Sequence, residues 1–420
     1  MKVVWLCNIC LPAIAQRLGI PYSNREGWLS GVYDRLVIQA KNGNCPIDEL
    51  AILFPVDSKE AEVKLDLEVK GFVAYGFYEN LSSPENYYPE LEESFGKILE
   101  EFKPDKIHIF GTEFPHCLAM TRSCKDRDKI YIGIQGVCSE IAKVYMAGLP
   151  ENIYKKKTLR DILRKDSLVN QQEKFEMRAE HEREALSGAG HVLGRTDFDK
   201  KTARRLCPEA QYHFVQETLR PCFYEGSWDS SNTSKHRIFV SQGDYPLKGF
   251  HYVLMAAAKL KETFADIEIA VAGNQIINKD FVHISAYGKY CRKLIKNLGL
   301  TENINLLGNL SAEEMKKEML ESSVFVCASV LENSPNSLGE AMLLGLPCIA
   351  TNTGGIPSIL TDSLEGYLVP VGDTQALADK LAKFLSDPIL SNALGAQAHK
   401  RALWQYDSEK NFKDLMEAYS

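Results

Sequence analysis

The sequence predicts an α/β protein built from two doubly wound domains. Short β-rich runs alternate with amphipathic helical stretches almost throughout, which is the pattern of βαβ units on a parallel sheet. A length of 420 residues is enough for two separate cores. The alternation breaks once, at LRPCFYEGSWDSSNTSKHR (219–237), where Pro, Gly and Ser/Asn cluster as in an interdomain linker. The division expected is therefore 1–220 and 221–403, followed by a tail.

In the first half the strand runs are VVWLC, ELAILFP, KIHIFG, KIYIGIQG and GHVLGRT. The polar stretch 154–187 reads as one or two exposed helices. In the second half the strands are RIFVSQ (237–242), IEIAVAG (267–273), INLLG (304–308), VFVCA (324–328) and PCIAT (347–351). FHYVLMAAAKLKETF and SAEEMKKEMLESS supply helices between them. Two such domains in tandem face each other across a cleft. Open α/β sheets bind ligands at the carboxyl ends of their strands, so that cleft is the expected site.

A formal net charge of -7 excludes nucleic-acid binding through overall charge. The eleven cysteines are scattered through apolar runs, which suits free thiols in a reducing compartment. Cys7 and Cys10 form a C-x-x-C but lie in a first strand with no second Cys/His pair, and are read as core thiols against a metal or redox role. Lys2 and VVWLCNICLPAIA mimic a short signal peptide, yet Asn8 and Pro12 interrupt the run, and a strand entering a loop explains it better. No apolar run reaches the roughly 18 residues of a membrane span. The expected location is the cytoplasm. The basic run YKKKTLRDILRK (154–165) is read first as a solvated helix face; contact with anionic lipid at the inner membrane face is the alternative.

The chemistry concentrates at 331–360, LENSPNSLGEAMLLGLPCIATNTGGIPSIL. Glu332 and Glu340, with seven residues between them, bracket a polar loop that enters an apolar helix. Asn333 or Ser334 is expected to cap that helix near Pro335. The N–H groups of Asn336, Ser337 and Leu338 then offer an anion site suited to phosphate. Carboxylates on either side would take hydroxyls, as a sugar, a diphosphate and a ribose require. Each glutamate alone reads equally well as a site residue or as a solvated loop or helix-start glutamate that the dipole favours anyway; the pair with its capped loop and Gly-Gly turn points to a site.

Further strand-end residues join it. Lys248, in SQGDYPLKGF (241–250), is placed to meet a diphosphate, with a surface lysine as the plain reading. Gly273-Asn274 ends the next strand, where a turn needs such residues anyway. In EGWLSG (26–31), Gly27 allows close backbone approach to a phosphate or sugar, or serves a turn. GTEFPHC (111–117) brings Glu113 and His116 to a strand end, a packed histidine being the alternative; Gln135-Gly136 and Arg195-Thr196 end two more. No G-x-G-x-x-G follows the first strand, which argues against a dinucleotide redox cofactor. DRD (126–128) precedes its strand, and DFD (197–199) suits a helix cap, so no metal is expected.

Together these features resemble glycosyltransferase family 4, the group 1 enzymes, with the two-Rossmann GT-B fold. Glu332-x7-Glu340 with AMLLGLPCIATNTGGIPSIL and EGYLVPVGD (365–373) looks like the family's E-A-x-x-x-G-x-P-V-x…G-G…G-x-L-V sequence. Lys248-Gly249 resembles its diphosphate lysine. LWQYDSEKNFKDLMEAY resembles its closing helix, which implies that 404–420 returns to the first domain. The resemblance is strong over 237–420 and mostly positional over 1–220. It implies a retaining, metal-independent transfer of sugar from a nucleoside diphosphate sugar, with UDP the leading carrier and no bound cofactor. The acceptor would be a glycan or a lipid-linked or protein-linked group, as in capsule, surface polysaccharide or glycoprotein assembly. Domain 1–220 would bind that acceptor and 221–403 the donor. Glu340 would hold the ribose, Glu332 the donor sugar, and Lys248 with the loop N–H groups the leaving diphosphate. In the family's usual mechanism the leaving phosphate helps deprotonate the acceptor on the same face.

Two departures stand out. Gly243 occupies the position of a family arginine, leaving Arg195 or another residue to supply that charge. Gln135-Gly136 occupies the position of a family His-Gly, leaving Glu113, His116, Gln135 and Arg195 as candidates for the acceptor side. The rival readings are a sugar-nucleotide epimerase, a phosphorylase, and a non-catalytic nucleotide-sugar-binding protein.

Overall fold

The computed structural model describes residues 1–20, 27–146, 148–234 and 236–420. The chain forms two compact units: Met1–Ala142 with Lys174–Thr218 and Asp407–Ser420, and Lys143–Glu173 with Leu219–Tyr406. A contiguous first domain over 1–220 therefore needs correcting in one respect, since 143–173 packs with the second unit.

The first unit contains β1 (Lys2–Leu6), β2 (Glu49–Val56), β3 (Val63–Asp66), β4 (Phe72–Tyr78), β5 (Lys106–Phe110), β6 (Ile130–Gly133), β7 (His191–Gly194) and β8 (Gln211–Phe214). They form one sheet in the order β3-β4-β2-β1-β5-β6-β7-β8, parallel except for β3 on β4. The sheet has a separate core on each face. Val4 and Leu6 of β1 enter one, Val3 and Trp5 the other. A strand covered on both faces must be apolar at every position, which is why KVVWL and ELAILFPV run unbroken. The C-terminal helix Ser408–Tyr419 belongs to this unit, and the Trp5 indole donates to the Tyr419 hydroxyl at 3.1 Å.

The second unit holds β9 (Arg237–Val240), β10 (Glu268–Ala272), β11 (Ile304–Gly308), β12 (Val324–Cys327), β13 (Cys348–Thr351) and β14 (Tyr367–Val369), all parallel in the order β11-β10-β9-β12-β13-β14. The chain order reverses at β9, with β10 on one side and β12 on the other. That is the switch point at which doubly wound sheets bind ligands. Phe239, Phe325, Leu338, Met342 and Ile356 share one core cluster beneath it.

Each strand read from the sequence exists. The reading passed over β3, β4, β8 and β14. The stretch 154–187 holds two largely exposed helices, Leu159–Arg164 and Leu168–Ser187, as expected, and begins at the end of a third, Glu151–Tyr154. The eleven cysteines are free thiols, Cys7 ending the first strand run and Cys10 lying in the loop beyond it. Among the described residues, no helix is long and apolar enough to cross a membrane.

Candidate functional site

The crevice between β9 and β12 in the second unit brings Lys248 and Glu332 together. Lys248 ends a short 3-10 turn, Pro246–Lys248, in the loop after β9. Gly249 follows with φ +65, and any side chain there would strike the Ala328 carbonyl at 1.8 Å. Glycine thus lets the Lys248 loop lie directly on the end of β12. The Lys248 ammonium donates to Glu332 Oε1 at 2.6 Å, and the Ser329 hydroxyl donates to the same oxygen at 2.7 Å. Burial depresses the Lys248 pKa, but the Glu332 carboxylate outweighs it and holds the ammonium well above the usual lysine range. Lys248 is a paired strand-end lysine, not a free surface one.

The Gly-Gly turn explains how Glu332 is placed. Gly354 has φ +52, and a Cβ there would lie 2.0 Å from the Glu332 carbonyl, to which the Gly355 N–H donates at 2.9 Å. Thr353 Oγ1 donates to the Val330 carbonyl at 2.9 Å, and Thr351 Oγ1 to that of Ser329 at 2.5 Å. The loop after β12 is therefore clamped by the end of β13.

The helix after this loop runs Asn336–Leu344, with its N-cap position at Pro335 and no side-chain cap. The expected capping by Asn333 or Ser334 does not occur. Leu338 is also corrected as an anion donor. Its N–H donates to the Pro335 carbonyl at 3.0 Å, and its side chain is wholly buried in the core. Asn336 and Ser337 remain half-buried at the helix start, their amides donating to no group of the described residues. The Ser241 hydroxyl, at the end of β9, donates to Ser337 Oγ at 3.0 Å, so the two strand ends meet there.

Glu340 sits one turn deeper and is buried. Both its oxygens accept from Arg220, at 2.6 Å each. Burial raises the Glu340 pKa, and the Arg220 fork pulls it back toward ionisation. Sequence reasoning missed Arg220, which lay in the linker with no motif around it. The available signal was Glu340 itself, since a carboxylate inside an apolar helix requires a partner.

The other strand ends in this unit serve geometry. Gly273 has φ +118, and a Cβ there would come within 2.6 Å of Asp244 Oδ1. Asp244 accepts from the Asn274 N–H and side-chain amide, both at 2.8 Å, which ties the ends of β9 and β10 together. At Gly243 an added Cβ meets Phe250 and Val271 at 3.1 Å. A larger residue at 243 would require the Phe250 and Val271 side chains to give way by a few tenths of an ångström.

In the first unit Glu113, Gln135 and Arg195 lie at neighbouring strand ends, with their polar groups largely engaged by other residues. His116 is fully buried, with Nδ1 2.6 Å from Glu79 Oε2 and Nε2 2.9 Å from Asn8 Oδ1. Both ring nitrogens are occupied, so His116 is a core histidine and no substitute for a site base. Arg195 is also buried. It pairs with Glu217, and its Nη2 donates to the Ile134 carbonyl at 2.9 Å, so it supplies no charge in place of Gly243. Gln135 is bound into the same network, accepting from Arg195 Nη1 at 3.1 Å and donating to Glu217 at 3.1 Å. Glu113 is half-buried; its Oε1 accepts from the Gly136 N–H at 2.5 Å, and burial raises its pKa. Gly27 is the first residue of the helix Gly27–Lys41. Asp199 of the DFD run forms a capping box with Thr196, and Asp126 of the DRD run caps a 3-10 turn.

Comparisons with known proteins bear on the fold and on residues 227–401. Residues 227–401 match the model of the family described as "Glycosyl transferases group 1". N-acetyl-alpha-D-glucosaminyl L-malate synthase of Bacillus anthracis is 34% identical over 118 residues, covering 28% of this chain and 30% of that protein. The matching stretch spans only 30% to 42% of the length of the first curated relatives. Among solved structures, sucrose-phosphate synthase from Thermosynechococcus elongatus superposes with TM-score 0.71 at 13% identity, covering 100% of this chain and 98% of its own. Anabaena HepE in complex with UDP and glucose gives 0.65 at 14% identity, covering 99% and 98%. At such identities the structural likeness speaks for the fold alone. Over residues 227–401 the chain is thus similar to the glycosyl transferases group 1 family, and its fold is that of the GT-B structures.

Proposed function

We propose that the protein is a retaining, metal-independent glycosyltransferase that moves a sugar from a nucleoside diphosphate sugar, UDP being the carrier, to a glycan, lipid-linked or protein-linked acceptor. The observation that carries this is the Lys248–Glu332 pair at 2.6 Å beside the open helix start at Asn336 and Ser337. An ammonium and two amides converge there at a sheet switch point, which suits a diphosphate whose charge grows as the sugar departs. Lys248 would shift from Glu332 to the phosphates, freeing Glu332 for donor-sugar hydroxyls. Glu340 would hold the ribose, with Arg220 fixing its orientation. The family match, and the UDP in the HepE complex, support the donor class. The first unit would contribute the acceptor side, with Glu113 as its remaining strand-end acid. The eleven free thiols support a cytoplasmic setting, and the basic run 154–165 a peripheral one.

The test is transfer from radiolabelled UDP-sugars to an acceptor pool, with Lys248→Ala and Glu332→Ala. Each substitution should lower kcat by roughly a hundredfold or more. Wild-type rates in both would show the assigned roles to be wrong. Conversion to an isomeric nucleotide sugar without acceptor would indicate an epimerase, glycan phosphorolysis a phosphorylase, and binding without turnover a non-catalytic protein.

A further inference from the structure

Among the described residues, fifteen large apolar side chains are exposed, and five of them lie close in the chain to residues that line one cavity in the second unit. Three lie on the helix Leu159–Arg164. Leu159, Ile162 and Leu163 stand at i, i+3 and i+4, so they share a face, and Leu163 is 69% exposed. The opposite face is anchored: Asp161 is buried and accepts from the N–H groups of Thr158 at 2.9 Å and Ala286 at 3.1 Å. The helix is thus held by its polar side and presents its apolar side to solvent, the reverse of an ordinary surface helix. The other two are Phe281, 71% exposed, and Val282. They lie between Lys279 and His283, which line, together with Arg160 and Arg164, a cavity of about 500 Å³.

Cations surround these residues. Lys156, Lys157, Arg164, Lys165, Lys279 and Lys289 have no carboxylate partner among the described residues, and Lys289 lies over the Phe281 ring at 5.9 Å. The nearby acids are engaged: Glu151 with Lys155, Asp161 and Asp166 with Arg160, and Asp280 with His283. In a chain of net charge -7 this is a local positive field around protruding apolar groups. Such a combination matches an anionic lipid surface, where apolar side chains enter the headgroup boundary and lysines meet the phosphates.

We propose that the second unit docks on anionic bilayers through this two-segment surface, the helix Leu159–Arg164 together with Phe281 and Val282. The proposal deepens the peripheral setting proposed for 154–165 and is independent of the transfer reading, since its readout is lipid partition. The experiment is co-sedimentation of the full chain with phosphatidylcholine vesicles, with and without phosphatidylglycerol. Wild type should bind only the anionic vesicles. Ile162→Asp with Leu163→Asp, and separately Phe281→Asp, should lower the partition coefficient by about tenfold or more. Lys156→Gln and Lys157→Gln should each lower it by about fivefold. Ile389→Asp, at an isoleucine 83% exposed elsewhere in the unit, should leave it unchanged. Absence of binding, equal binding to neutral vesicles, or indifference to the Ile162/Leu163 pair overturns the proposal. Concentration-dependent dimerisation that the same pair abolishes would overturn it in favour of a second copy. Circular dichroism of each variant checks folding, and all these side chains are exposed.

Discussion

Arg220 and Glu340 form a buried pair whose two halves lie 120 positions apart, joined by two 2.6 Å hydrogen bonds. Replacing Arg220 with Met strands a carboxylate inside the unit, a change that typically costs about 3–5 kcal/mol. The sign of its pH dependence follows. Without Arg220, only burial acts on Glu340, so its folded pKa rises further above the unfolded value. The penalty applies where Glu340 would be ionised, and it shrinks as acidification protonates the group. Urea titrations of Arg220→Met at pH 7 and pH 5 should therefore show the smaller deficit at pH 5. Two buried histidines act the other way. Burial pushes His108 down to about 3 and His251 down to about 4, so both are neutral in the fold. An unfolded histidine takes a proton near pH 6.5, so their contribution is lost as pH falls from there toward 3 or 4. The slope approaches roughly 1.4 kcal/mol per pH unit for each. The variant His251→Phe should flatten the acid limb of a stability–pH curve measured by urea unfolding.

At the scale of the element, the loop after β12 is shaped by glycines on its neighbours. Gly354 has φ +52, and a Cβ on it would fall 2.0 Å from the Glu332 carbonyl, so alanine cannot be accommodated without moving Glu332. Gly354→Ala should destabilise by about 1–3 kcal/mol and weaken nucleotide binding together, as calorimetry of both would reveal. The elements themselves were legible to different degrees. Strands covered on both faces, such as β1 and β12, announce themselves by unbroken apolar runs. The two edge strands that escaped notice in the first sheet, β3 and β8, are short and polar, as the burial patterns of VKLD and QYHF show. Inside strand β4, Gly76 interrupts the apolar run. The helix over 336–344 was legible, but its cap was not, because an Asn-Ser-Pro run admits several starts and only the backbone path selects Pro335.

For the whole molecule, two units imply that a donor ligand stabilises the one that binds it. On the proposed reading UDP at a hundred times its Kd adds about 2.7 kcal/mol to the second unit. Differential scanning calorimetry with UDP should raise the transition of the unit containing Trp228 while limited proteolysis of the first unit stays unchanged. A uniform shift, or none, would contradict donor binding by the second unit alone.

The α/β class, the break near 220, and the placing of Lys248 and Glu332 at strand ends and Glu340 on the following helix were legible in the sequence. Those follow from local periodicity and from short motifs readable within a few residues. Tertiary structure alone decided the rest. It assigned 143–173 to the second unit, paired Arg220 with Glu340, committed Arg195 and His116 to buried partners, and packed Phe250 and Val271 closely against Gly243. Each of those depends on which distant group fills the space beside a residue, and no local pattern encodes that.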